Sequence, residues 1–172
     1  GIFDPNDTTQ TPKGTYSQIL HGEVGSAFLD SQLLGNGRVV MVPYNSDNIG
    51  IYDPTPVSGS PNGTYSQVPH GENINAFEDS QVLDDGTDRV VMVPYFSDNI
   101  GIFDPNDTTQ TPKGTYSQVP HGDGEGSSGI FGDSQLLDDG RVVMVPQNSD
   151  NIGILDPNDT TQTPKGTYSQ VL

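Results

Sequence analysis

The chain has 172 residues with 21 Gly, 14 Pro, no Cys and no Trp; that much Gly and Pro argues against long helices, and the lack of thiols removes disulfides, thiolate metal sites and a Cys nucleophile. Only 30% of the residues are hydrophobic, and no run approaches the roughly 20 apolar residues of a membrane span, so no membrane insertion is expected. The formal charge of −17, from 23 acidic against 6 basic side chains, repels nucleic acid and anionic lipid alike.

The chain opens on GIFDPNDTTQTPKGTYSQ. This phrase returns unchanged at Gly101, as GILDPNDTTQTPKGTYSQ at Gly153, and as the diverged GIYDPTPVSGSPNGTYSQ at Gly50. Between the copies runs a second shared block, DSQLLGNGRVVMVPYNSDNI and its two relatives. A period of about 50 residues is the signature of a repeat architecture. Residues 1–20 read as a half repeat of two outer strands, and residues 21–69, 70–120 and 121–172 as three full repeats. The opening in mid-pattern suggests a piece of a longer chain or assembly.

Each full repeat carries four extended segments bounded by turn residues. The first, Ala27 to Leu34, ends at a Gly-Asn-Gly turn, a strong hairpin signal. The second, Arg38 to Tyr44, has the near-continuous Val and Met of a strand buried on both faces. The third runs from Ile49 to Pro54. The fourth, Gly63 to Pro69, ends in a Pro that points to a sheet edge.

The run from Asp85 to Asp104, DGTDRVVMVPYFSDNIGIFD, resembles blades of kelch-like β-propellers, and its counterparts extend the resemblance over the whole chain. It lacks the Gly-Gly doublet and the Trp of kelch repeats, so the resemblance implies an architecture and no kelch partner. The expected fold is all-β, built from β-propeller-type four-stranded blade repeats; the alternative is a linear array of stacked β-hairpins. Three and a half blades fall short of the four to eight of closed propellers. Self-association is therefore expected, as a closed ring or a head-to-tail filament.

Four sequons fall in the turn between the third and fourth strands, at Asn6, Asn62, Asn106 and Asn158, and suggest glycosylation of an extracellular or cell-surface protein. The same turns carry Asp4, Asp7, Asp104, Asp107, Asp156 and Asp159, hard oxygen donors of the kind calcium takes. No EF-hand spacing is present, and capped turns explain these Asp residues as well. Asp30, Asp79 and Asp133 lie on the first strand of each repeat, where in a closed ring they would line the channel. Pairing with Arg38, Arg89 and Arg141 is the simpler account. His21, His70 and His121 recur once per repeat in Pro- and Gly-rich loops, spread too widely for one zinc ion.

No nucleophile elbow, metalloprotease helix, phosphate loop or dinucleotide fingerprint is present. Near-identical copies also argue against catalysis, because an active site places unlike residues in distinct roles. The sequence is thus expected to specify a non-catalytic, self-assembling structural protein without cofactors. Its rivals are a multivalent carbohydrate-binding propeller and a kelch-like interaction adaptor.

Overall fold

The computed structural model describes residues 1–9, 15–122, 129–162 and 165–172. Those residues form strands and turns, with no helix among them. A short ladder joins β1 (Ile2–Asp4) to β2 (Thr15–Ser17). The first four-stranded sheet is β3 (Phe28–Leu33), β4 (Val39–Pro43), β5 (Asn48–Asp53) and β6 (Thr64–Pro69). The second is β7 (Phe77–Val82), β8 (Val90–Pro94), β9 (Asn99–Asp104) and β10 (Thr115–Pro120). The third is β11 (Phe131–Leu136), β12 (Val142–Pro146), β13 (Ile152–Asp156) and β14 (Thr167–Val171). Within each sheet the strands pair antiparallel in chain order. All four segments expected in the first full repeat are strands, with ends that differ by one residue.

Local chemistry explains these boundaries. The first hairpin of each sheet turns on a glycine with positive φ: 84° at Gly37, 77° at Gly86 and 85° at Gly140. Glycine alone holds that conformation without a Cβ penalty. Each first strand carries a register shift between its Phe and its Asp, at Phe28/Asp30, Phe77/Asp79 and Phe131/Asp133. The extra residue bends the strand.

Consecutive sheets stack face to face, and two apolar clusters fill the gaps. We call "front" the face of a sheet that the next sheet covers. In the first gap Val40, Val42, Ile49, Ile51 and Val68 of the first front meet Phe77, Val90, Met92 and Phe103 on the back of the second sheet. The second gap repeats this, with Val91, Val93, Ile100, Ile102 and Val119 against Phe131, Val142, Met144 and Leu155. Being covered on both sides, β8 is buried at all five positions. In β4 and β12, at the ends of the stack, only part of the strand is buried.

Every third strand carries a glycine where two aromatic rings close over the backbone. A Cβ at Gly101 would lie 2.8 Å from Tyr116 Cε2 and 3.1 Å from Phe77 Cζ. Gly101→Ala is therefore expected to lower stability by about 1–3 kcal/mol, as overpacking of a dense interior does. Urea denaturation checks this, and an unchanged midpoint would mean that the rings give way.

Candidate functional site

The interface between consecutive sheets concentrates the polar chemistry of the chain. On the first strands, Asp-Ser-Gln acts across the gap between sheets. The Ser80 hydroxyl donates to Asp30 Oδ2 at 2.5 Å, and Gln32 Nε2 donates to the Ser80 carbonyl at 2.9 Å. One repeat later Ser134 donates to Asp79 Oδ2 at 2.5 Å, and Gln81 Nε2 to the Ser134 carbonyl at 3.0 Å. The partner of each described pair is thus a serine on the neighbouring sheet, and the ion pairs with Arg38, Arg89 and Arg141 do not form. The register explains why: Asp30 stands opposite Val42, whereas Arg38 precedes Val39 at the other end of the hairpin.

Two of the arginines reach the third-to-fourth-strand turn of the following sheet. Arg38 Nη2 donates to Asn106 Oδ1 at 3.0 Å and to the Pro105 carbonyl at 3.1 Å. Arg89 donates to Asn158 Oδ1 at 2.6 Å and to the Pro157 carbonyl at 3.1 Å, and pairs with Asp85 at 2.7 Å. Arg141, with no following sheet, pairs with its own Asp139. In the first sheet this turn reads Asp53-Pro54-Thr55, with Thr55 where the later turns have Asn106 and Asn158.

The histidines are further ties between sheets. His70 and His121 are buried, with Nε2 at 2.8 Å from the Ser46 carbonyl and 2.9 Å from the Ser97 carbonyl. His70 Nδ1 accepts the Glu72 N–H at 3.1 Å, which leaves the proton on Nε2 to be donated. The ring stands edge-on to Phe77 and Tyr116. His21, which has no preceding Ser carbonyl, is exposed. No cluster of three His, Cys, Asp or Glu placed to hold a metal occurs among the described residues.

Sequence reasoning passed over the glutamate two residues beyond each of these first two histidines. Glu72 accepts Asn99 Nδ2 at 3.3 Å and the Tyr116 hydroxyl at 3.0 Å, as well as Gln118 Nε2; the Ser97 hydroxyl lies 2.9 Å away. The side chain thereby fastens the loop before β7 to the β8–β9 loop and to strands β9 and β10. Burial and the Glu72 carboxylate both push the Tyr116 phenol far up. Glu23 plays the same part in the first repeat, accepting Asn48 Nδ2 and Gln67 Nε2. In the third repeat Asp123 stands two residues beyond His121, outside the described residues. The signal was available: two of only four glutamates, Glu23 and Glu72, directly follow a His-Gly.

The calcium candidates cap their own turns. Asp4, Asp104 and Asp156 accept the N–H groups of Asn6, Asn106 and Asn158, and Asp7, Asp107 and Asp159 those of Thr9, Thr109 and Thr161. Thr115 and Thr167 also donate hydroxyls to Asp107 and Asp159, which lowers both carboxyls below the usual aspartate range. The four sequon asparagines are exposed. Asn106 is engaged on both side-chain atoms, its Nδ2 donating to the Thr87 carbonyl at 2.8 Å.

Two carboxyls on β7 are shifted the other way. Burial raises Glu78, whose Oε2 is buried without a hydrogen-bond partner. Burial also raises Asp79, and the charges of Asp30 and Asp133 add to the effect. Folding binds protons to these two groups, so their ionised forms weaken the fold above their folded values. As pH falls through those values toward the ordinary 4.5 of Glu78, stability is regained. Asp107 and Asp159 act in the opposite sense, contributing fully above the ordinary 3.8 and losing their contribution as pH falls through their lowered values. Stability is expected to rise as pH falls from neutrality toward the ordinary 4.5 of Glu78 and to be lost once pH falls below the ordinary 3.8 of Asp107 and Asp159. Thermal melts across that range check this; a decline between neutrality and pH 5 would contradict it.

Both ends of the stack show one half of this interface. Val145, Ile152 and Val171, on the front of the third sheet, are 46%, 42% and 48% exposed, although their counterparts in the first two sheets are buried. On the back of the first sheet Phe28, Val39, Met41, Tyr52 and Tyr65 are half-buried. Comparison with protein-family models, with curated proteins and with solved structures found no match to this chain.

Proposed function

We propose that the chain is a non-catalytic, self-assembling structural protein whose repeats are β-propeller-type blades of kelch-like character, joined copy to copy into an extracellular filament or surface structure. One observation carries this reading. The same interface is built twice inside the chain from equivalent residues, and its two unmatched halves stand at opposite ends of the stack. A contact between two different surfaces of identical chains closes into a ring where the rotation permits and otherwise continues as a filament. The charge of −17 keeps the flanks of such an assembly hydrated and apart.

In this reading Asn6 and Asn62 are the sequons most open to a glycan. Sugar on Asn106 or Asn158 would compete with the Arg38 and Arg89 hydrogen bonds that tie neighbouring sheets. Intact mass before and after deglycosylation of native material tests this; a bare backbone mass rejects glycosylation.

Assembly is tested by light scattering on a sizing column over a range of concentrations, followed by electron microscopy. Masses at multiples of 18.3 kDa, with rings or filaments in the images, are expected. A compact monomer at every concentration would sink the reading.

A further inference from the structure

We propose that the front of β11–β14 docks on the back of β3–β6 of a second copy and displaces that copy's β1–β2 hairpin. The proposal rests on the assembly reading and names its surface and its competitor. The two internal interfaces define the occupant. Val42 and Val93, Ile49 and Ile100, and Val68 and Val119 are each covered by the back of the following sheet, while Val145, Ile152 and Val171 have no following sheet. The back of the first sheet repeats the Phe, Val, Met and Tyr of the two covered backs, with Tyr52 where those have Phe103 and Leu155, and so offers that front a closely similar surface.

The polar halves also match. Asp133 and Gln135 are exposed on β11, as is Ser31 on β3. They correspond to the Asp79–Ser134 and Gln81–Ser134 bonds within the chain. The Ala76 and Ile130 N–H groups donate to the Tyr44 and Tyr95 carbonyls of the preceding sheets. Docking would give Ala27 N–H the Gln147 carbonyl in the same way, and His21 Nε2 the Ser149 carbonyl.

What now lies over the back of the first sheet is a poor substitute. The β1–β2 ladder pairs three residues with three, marginal for an isolated hairpin. It corresponds only to the two outer strands of a sheet and offers nothing to Ser31 or Ala27. Its fit leaves a cavity of about 340 Å³ bordered by Ile2, Ile19, His21, Val39, Met41 and Tyr65. Phe3 and Tyr16 on its other side are 62% and 63% exposed. The hairpin thus acts as a weak internal cap that a neighbouring sheet outcompetes.

The chain has no native thiol, which makes cysteine cross-linking unambiguous. Full-length Ser31→Cys and Asp133→Cys chains, mixed and oxidised, are expected to form a covalent heterodimer in high yield. Ser58→Cys, on an exposed outer turn, is expected to give little with the same partner. Ile19→Asp, which loosens the cap, should tighten association about tenfold, because it raises the fraction of uncapped chains. Val145→Glu should weaken it by at least as much. Oligomers that form without the 31–133 cross-link overturn this docking surface and leave self-assembly standing, whereas monomers under all conditions overturn both. Cross-linking without a gain from Ile19→Asp overturns the displacement of the hairpin.

Discussion

Phe77→Ala is expected to cost about 3–5 kcal/mol, the range for deleting a buried aromatic ring from a packed core. Phe77 is fully buried where the second sheet meets the first, beside Val90, Met92 and Phe103. Its ring also closes over Gly101 and stands edge-on to His70 and Tyr116. A cavity there weakens the second sheet and its stacking on the first together. Phe28 holds the same place in the first sheet and is only half-buried. Phe28→Ala is expected to cost only about 1–2 kcal/mol, in proportion to the area it has withdrawn from water. Urea denaturation of the two variants at low protein concentration gives the comparison. Equal losses would mean that burial between sheets is not what holds the stack. If copies dock as proposed, the Phe28→Ala deficit grows with protein concentration and the Phe77→Ala deficit does not.

Glu72→Ala should be the second most damaging change, at about 3 kcal/mol, because several donors lose one charged acceptor together. Asn99, Tyr116 and Gln118 each donate to Glu72. The Tyr116 hydroxyl would be left half-buried without its partner. Glu72→Gln keeps an acceptor oxygen but gives up the charge, and a loss of about 1–2 kcal/mol is expected. Tyr116→Phe removes one of these donors and should cost less in the Glu72→Ala background than in the wild type. A double-mutant cycle measures that coupling; strict additivity would show that the carboxylate does not organise the network.

The strands were legible because their signals are local. Val-Val-Met-Val-Pro, the glycine turns and the terminal Pro of the fourth strand each act within a few residues. The ties between sheets were not legible, because they join residues from 24 to 69 positions apart. Asp30 could be paired on paper with Arg38, eight positions away, and Ser80 was no more conspicuous than any other serine. Only the stacking of β3 beside β7 brings Ser80 to Asp30. The burial of the histidines depends on the same stacking: His70 and His121 are buried against the preceding sheet, whereas His21 is exposed. Glu72 was hidden by composition, since one glutamate draws no notice in a chain with 19 Asp.

The diverged turn of the first sheet has a mechanical consequence. Inside the chain, arginine from one sheet grips the asparagine of the next, as Arg38 grips Asn106 and Arg89 grips Asn158. At a junction between copies Arg141 would meet Thr55, which has no amide oxygen to offer. The seam between chains would thus hold one clasp fewer than the seams within them. Under tension such an array parts at its chain boundaries first, so the break spares the folded units, and the separated pieces keep the surfaces needed to rejoin.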